Sequence, residues 1–298
     1  MQTDEPVRRP AEIEDPTNLL AIHPIASRLT GLFAALHIPP NAVSLAGMAF
    51  GVLAAAAYYH YQDVRYAVAG FVLMIAWHVM DGADGQLARL THSQSQTGKV
   101  LDGICDYTTF IAVYVALAAA LSRQSGDWVW ALAAAAGLCH SAQSAAYEVQ
   151  REDYSCFGLG RPWARLAAPA QAPRRSSAAP PTHAVLDTLH LLYVRLQLFT
   201  IGADAGPRER LAALLGSEPE RAASIRARYR ETFAPAVRRW SVLSSNYRTL
   251  GIFIGALLDA PQHYFEFEIV GFSAILAVLL LDQRARYRRF LRALEGAQ

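Results

Sequence analysis

The stretch DGADGQLARLTHSQSQTGKVLDGICD, residues 81–106, lies between two apolar runs, Tyr66 to Met80 and Ile104 to Leu121. It carries four carboxylates. Asp81 and Asp84 are three residues apart, so they share one face of a helix, and Asp102 and Asp106, four apart, share a face of the next. The connection, roughly Leu90 to Thr97, is short and polar. The spacing therefore predicts two antiparallel neighbouring helices whose Asp pairs face each other across one gap, at the ends of hydrophobic segments.

Four like charges in such a gap repel one another, and an acidic side chain at bilayer depth costs about 2.5–3.5 kcal/mol on insertion scales. Only Arg89 and Lys99 are close in sequence. The cluster calls for a metal cation, and oxygen-only ligands suit Mg²⁺, Mn²⁺ or Ca²⁺ better than zinc. Four carboxylates can bridge two such ions, about 3.5–4 Å apart, in the arrangement that clamps a phosphoryl group. Aspartates at helix ends can also simply meet headgroups, but two helically spaced pairs flanking one short loop favour a site.

Asp81-x-x-Asp84-Gly85-x-x-Ala88-Arg89, eight residues, then Gly98-x-x-x-Asp102-x-x-x-Asp106 resembles the signature of the CDP-alcohol phosphotransferase (CDP-alcohol phosphatidyltransferase) family without gap or substitution. The resemblance implies a metal-dependent membrane enzyme, with Mg²⁺ or Mn²⁺ as a pair of ions on Asp81, Asp84, Asp102 and Asp106. Such an enzyme joins a CDP-linked donor to an alcohol and releases CMP. Glycine at 85 and 98 and alanine at 88 leave room for a nucleotide between helices, and Arg89 offers a planar fork for phosphate or for a carboxylate. By resemblance, Asn41, Ser44 and Ser95 also touch the donor. The family often has threonine at 44 and 95, and serine keeps the hydroxyl. Asp106 matches the position that takes the alcohol proton. His78, one turn before Asp81, is an alternative base, although such a histidine more often packs in the core.

The signature does not separate two members of this chemistry. One transfers phosphatidyl from CDP-diacylglycerol to a small alcohol or alcohol phosphate, and this donor is favoured. The other transfers a phospho-alcohol from a CDP-alcohol to diacylglycerol or a ceramide. A non-enzymatic divalent-ion transporter would need polar groups on both sides of the membrane midplane, whereas here they gather in the inner half. The expected partners are the donor, the alcohol acceptor, membrane lipids and, as an option, a second copy of the chain, with no nucleic acid.

The rest of the chain fits a membrane setting. Its 298 residues are 53% hydrophobic and 17% charged, with mean hydropathy +0.16, which suits a membrane domain with polar attachments. One of its 27 basic residues is lysine, Lys99. This Arg- and Ala-rich usage suggests a bacterial inner-membrane protein. Cys105, Cys139 and Cys156 have neither pairing nor ligand spacing.

The fold expected is all-α, a six-transmembrane-helix bundle in four segments. Residues 1–38 hold a tail and an amphipathic interfacial helix over Asn18 to Ile38. Residues 39–150 hold four spans, Ala42 to Tyr59, Tyr66 to Gly85, Lys99 to Leu121 and Trp128 to Tyr147. Pro39-Pro40-Asn41 precedes the first, with Asn41 as its cap. Residues 151–239 form a helical cytoplasmic insertion between the fourth and fifth helices. It comprises an Arg165 to Pro181 linker, an amphipathic helix over Ala184 to Phe199, and surface helices over Arg208 to Leu215 and Glu218 to Phe233. Residues 240–298 hold spans Trp240 to Ala260 and Phe265 to Leu281 and a basic tail. Only Arg65 and Arg123 fall in the outer loops, so both termini and the Asp cluster face the cytoplasm.

The acceptor has no signature. His140, Ser144, Tyr147, Glu148 and Arg151 form one helical stripe, and Arg248 enters the fifth span beside Ser244 and Ser245. A lone arginine there is costly unless it meets an anion or a water-filled cavity. His140, Ser144, Glu148, Arg151 and Arg248 are therefore the expected acceptor-binding residues, against a simpler reading in which Glu148 and Arg151 merely pair with each other.

Overall fold

A computed structural model describes residues 10–161 and 205–296. Among these residues the chain is helical, with no strand. A π-helical turn at Asn18–Ile22 leads into α1 (His23–Ala35). Next come α2 (Pro40–Tyr58), α3 (Val64–Leu90), α4 (Gln96–Ser125), α5 (Trp128–Asp153) and a second π-helical turn at Tyr154–Gly158. After the undescribed stretch come α6 (Ala205–Ser217), α7 (Pro219–Trp240), α8 (Ser245–Leu257) and α9 (Pro261–Glu295). The expected Arg165 to Pro181 linker and Ala184 to Phe199 helix lie outside the described residues.

Local chemistry sets the boundaries. Pro39 is extended and Pro40 opens α2, because proline lacks the donor that a first helical position does not need. Asn41 is thus inside the first turn, and its side chain is not the cap expected from the sequence. The Asp63 side chain caps α3 by accepting from the Arg65 backbone, and Ser95 caps α4 by accepting from Gly98 N. Gly126, at φ +90°, ends α4 in a conformation that favours glycine.

Four described helices are long and apolar enough to cross a membrane: α2, α3, nearly all of α4, and α9. Six spans were expected. The second half of α5 carries His140, Ser141, Gln143 and Ser144, which dilute its apolar character. The segment expected as the fifth span, Trp240 to Ala260, is interrupted by a 3₁₀ turn at Ser241–Leu243. Its helical part, α8, has 13 residues, about 20 Å, against the roughly 30 Å of a bilayer core.

The chain divides into two compact units, Met1–His140 with Ser244–Phe272, and Ser141–Leu243 with Ser273–Gln298. In the first, α2 packs against both α3 and α4. Small residues permit this approach. A Cβ on Gly47 would come 3.1 Å from Met80 Cβ, and one on Gly51 would overlap the Thr109 side chain. The core is filled by Tyr58, Met74, Trp77, Phe110, Tyr114 and Phe265 among others. The helix α1 packs on α3 through Ala26, Leu29 and Phe33 against Val79, Ala83 and Leu87, while Leu20, Ile25, Leu32 and Leu36 are exposed. Val52, Leu53, Val68, Val72, Ile111 and Val115 are exposed on α2, α3 and α4. So much bare aliphatic surface suits lipid rather than water.

In the second unit, α7 lies antiparallel to the end of α9. Arg239 reaches Asp282 at 2.9 Å and Arg228 reaches the Ala293 carbonyl at 3.5 Å. Tyr229, Phe233, Tyr287 and Phe290 pack ring to ring between them. Arg208 of α6 joins Asp153 of α5 at 2.6 Å, with both side chains buried. The carboxylate beside it holds the Arg208 guanidinium in its charged form, against the cost of burial.

Candidate functional site

The signature carboxylates lie within α3 and α4, set back from the helix ends. Asp81, Asp102 and Asp106 are half-buried, and each offers a carboxylate oxygen within 4.8 Å of the others. Such a group of hard oxygen donors fits a hard divalent cation. Asp84 is arranged differently. It is buried, and it accepts a hydrogen bond from the Ser44 hydroxyl of α2. The sequence placed all four carboxylates on one gap. The structure gathers three closely and ties the fourth to α2.

The residues expected at the donor occupy two places. Ser95 Oγ accepts from Gly98 N at 2.9 Å as the cap of α4. A Cβ on Gly98 would lie 3.0 Å from that oxygen and 3.5 Å from Asn41 Oδ1, so Asn41, Ser95 and Gly98 cluster where α2 and α4 begin. Glycine at 98 keeps this spot open. On α3, the Arg89 guanidinium lies over Gly85, with Nη1 3.5 Å from where a Cβ would stand. Ala88 is half-buried, and its carbonyl accepts from Ser93 N at 3.0 Å.

His78, the alternative base, is buried and bonded through Nε2 to Thr249 Oγ1 at 2.9 Å, with its ring against Trp77. That is the core role the sequence reading preferred.

The expected acceptor residues fall into both units. In the first, His140 Nδ1 lies 3.2 Å from the Tyr114 hydroxyl, and the two tyrosine hydroxyls of Tyr114 and Tyr264 are 2.8 Å apart. Tyr264 donates to Glu268 Oε2 at 2.8 Å, and Arg248 Nε donates to Glu268 Oε1 at 3.2 Å. Arg248 and Glu268 are both fully buried, and the guanidinium sits over the Phe272 ring. The anion that Arg248 required is thus supplied by α9. In the second unit, Arg151 pairs with Glu148 at 2.9 Å and lies over Tyr147, as the simpler reading of that stripe had it. Ser144 is half-buried on the same helix.

Sequence reading missed Glu268, Tyr264 and Tyr114. Glu268 left a signal: an acid within an apolar helix of a chain that has an arginine within another.

Residues 37–161, which run from just before α2 through the second π-helical turn, match the family described as CDP-alcohol phosphatidyltransferase. No curated protein matches the chain. The family comprises transferases of substituted phosphate groups that are generally divalent-metal dependent. The four apolar helices and the family both fit an integral membrane protein. Helix pair, carboxylates and matched sequence coincide within residues 37–161, and the matched CDP-alcohol phosphatidyltransferase family points to membrane phosphotransfer in phospholipid synthesis.

Proposed function

We propose that the protein transfers a phosphatidyl group from CDP-diacylglycerol to a small alcohol or alcohol phosphate and releases CMP. The observation that carries this reading is the convergence of Asp81, Asp102 and Asp106 to within 4.8 Å inside a domain of this family. Asp81, Asp84, Asp102 and Asp106 would hold two Mg²⁺ or Mn²⁺ ions. When bound, the ions would supply Lewis acidity toward the donor's pyrophosphate and stabilise the departing CMP.

The chain's own residues do the rest. Asn41, Ser44, Gly85, Ala88, Arg89, Ser95 and Gly98 receive the CDP moiety, with Gly85 and Gly98 giving clearance and Arg89 meeting phosphate. Asp106 accepts the proton of the alcohol as its oxygen bonds to the phosphatidyl phosphorus; the P–O bond to the bridging oxygen of the pyrophosphate breaks, CMP leaves with that oxygen, and the phospholipid keeps one negative phosphodiester charge. Among His140, Ser144, Glu148, Arg151 and Arg248, the arginines are the groups suited to an acceptor phosphate. To bind it, each would share or exchange its present carboxylate, Glu148 or Glu268.

This reading keeps six spans, with the less apolar α5 and the 13-residue α8 as the two added to the four apolar helices, and cytoplasmic termini. The scarcity of basic residues in the loops at Arg65 and Arg123 supports that orientation.

The test supplies purified protein with radiolabelled CDP-diacylglycerol and a panel of alcohols, and in parallel with CDP-choline or CDP-ethanolamine and diacylglycerol. CMP release and a labelled phospholipid are expected only in the first set. Product in the second set alone would move the assignment to the other member of this chemistry.

A further inference from the structure

Within the second unit, α9 passes from an apolar surface to a charged one. Between Glu268 and Asp282 the helix carries no charged residue. Val278 and Leu281 are exposed there, a bare aliphatic surface that suits lipid tails. Asp282 is therefore the first charge past the apolar stretch, at the depth where headgroups begin. Arg286, Arg289 and Ala293 follow it at four, seven and eleven residues, so all four share one stripe of the helix. The antiparallel α7 meets this stripe at both ends. Arg239 donates to Asp282 at 2.9 Å, and Arg228 donates to the Ala293 carbonyl at 3.5 Å. Arg286 donates to the same Asp282 oxygen as Arg239, at 2.8 Å.

Charge along this seam does not balance. Four arginines, Arg228, Arg239, Arg286 and Arg289, stand against one carboxylate, Asp282. Arg289 Nε donates to the Ala285 carbonyl of its own helix at 3.3 Å, so Arg228 and Arg289 bond carbonyls rather than acids. Both are exposed, as is Arg239. Each guanidinium has five N–H donors, more than these bonds use. Its planar fork matches the oxygens of a phosphate. Where the seam meets the apolar surface of α9, the nearest phosphates are those of lipid headgroups. A zwitterionic headgroup brings its own cation, which these arginines repel, so the excess charge selects headgroups with a net negative charge. We propose that the membrane-proximal end of the α7–α9 seam, at Arg239 and Arg286, binds the headgroup of an anionic phospholipid from the leaflet around α9. The site shares no residue with the carboxylate cluster or with the residues expected to bind donor and acceptor, and it does not depend on the reaction proposed above.

The test uses the full chain in detergent, with native mass spectrometry to follow retention of phosphatidylglycerol and phosphatidylcholine of identical acyl chains. The unaltered protein should hold phosphatidylglycerol at least about fivefold more tightly, and the preference should shrink as ionic strength is raised. Combining Arg239→Gln with Arg286→Gln should bring the two lipids to within about twofold of each other. Arg228→Gln should keep the preference, because it stands about 16 Å further along the seam by helical rise, beyond a Debye length of about 8 Å. Asp282→Asn removes the competing carboxylate and should tighten phosphatidylglycerol binding at least about threefold, a gain that a purely structural role for the seam would not produce. If the double variant fails to fold, Asp282→Asn and the ionic-strength series on the unaltered protein still decide. Equal retention of the two lipids by the unaltered protein would overturn the proposal, as would an undiminished preference in the double variant or no tightening in Asp282→Asn. Saturable calorimetric binding of inorganic phosphate to the lipid-free protein, lost in the double variant, would identify a soluble-anion site and also overturn it.

Discussion

Two groups of charge lie inside the first unit, and they are built on opposite principles. On α3 and α4, Asp81, Asp102 and Asp106 bring like charges to within 4.8 Å. On α8 and α9, Arg248 and Glu268 bring opposite charges to 3.2 Å in full burial, with Tyr264 and Tyr114 extending the bonds. The second arrangement balances itself. Its charges need nothing from outside, and its evident product is the docking of the short helix α8. The first concentrates repulsion that folding alone would not select. On the proposed function, a divalent cation and the donor's phosphates would compensate it. Gathered charge of one sign marks chemistry here, and paired charge marks architecture.

The largest effect expected from breaking this contrast is at Asp106. Asp106→Asn should lower kcat by at least about 10²-fold, the usual worth of a general base, while nucleotide binding persists in a CDP-binding measurement. Near-parental turnover at neutral pH would place the base elsewhere, with His78 as the next candidate.

Next comes the paired group. Arg248→Met should destabilise the protein by about 3–5 kcal/mol, since it strands a buried carboxylate. Combining it with Glu268→Met should recover most of that loss, because well-packed apolar replacements of a buried pair are often neutral. Thermal unfolding in detergent measures both. A double variant as unstable as the single would show that Arg248 contributes through something other than its partner. An acceptor KM that rises in the folded double variant would add a role in binding.

Arg151 tests a smaller term. If it binds the acceptor, Arg151→Ala should raise the acceptor KM by about tenfold with the donor KM nearly constant. If its half-exposed pair with Glu148 is only local, neither constant moves.

The smallest effect belongs to an exposed pair used as control. Arg65, hydrogen-bonded to Asp63 at the start of α3, pulls the Asp63 carboxyl down to about 2. A lowered carboxyl stabilises the fold above its ordinary range near 3.8 and loses that contribution as pH falls toward about 2. Because Asp63 is solvent-exposed, Asp63→Asn should shift the melting temperature only slightly at pH 7, and the difference should vanish in acid.

Much of this was legible in the sequence because the signals were periodic or repulsive. Two helically spaced Asp pairs around a short polar loop predicted the cluster, and continuous apolar runs predicted α2, α3, α4 and α9. The failures have physical causes. Asn41 looks like a cap, but proline at 40 already supplies the helix start. Asp84 is held differently from the other three aspartates, because the Ser44 hydroxyl on another helix donates to it, a contact that spacing along α3 does not show. The stretch from Trp240 to Ala260 is apolar throughout much of its length, yet tertiary bonds reshape its beginning. Ser244 donates to Asp15 at 2.7 Å and Asn246 to Asn18 at 2.7 Å, so α8 starts late and is short. Arg248 was recognised as needing an anion, but spacing along one helix cannot reveal a partner twenty residues away on another.

On the proposed function, the gathered carboxylates hold divalent cations for CMP release. The most direct measurement follows CMP release from CDP-diacylglycerol by the purified protein, first stripped with EDTA and then resupplied with Mg²⁺ or Mn²⁺, alongside Asp81→Asn. The account predicts no release after stripping, recovery on adding either ion, and no recovery in Asp81→Asn. Undiminished release in EDTA would contradict it.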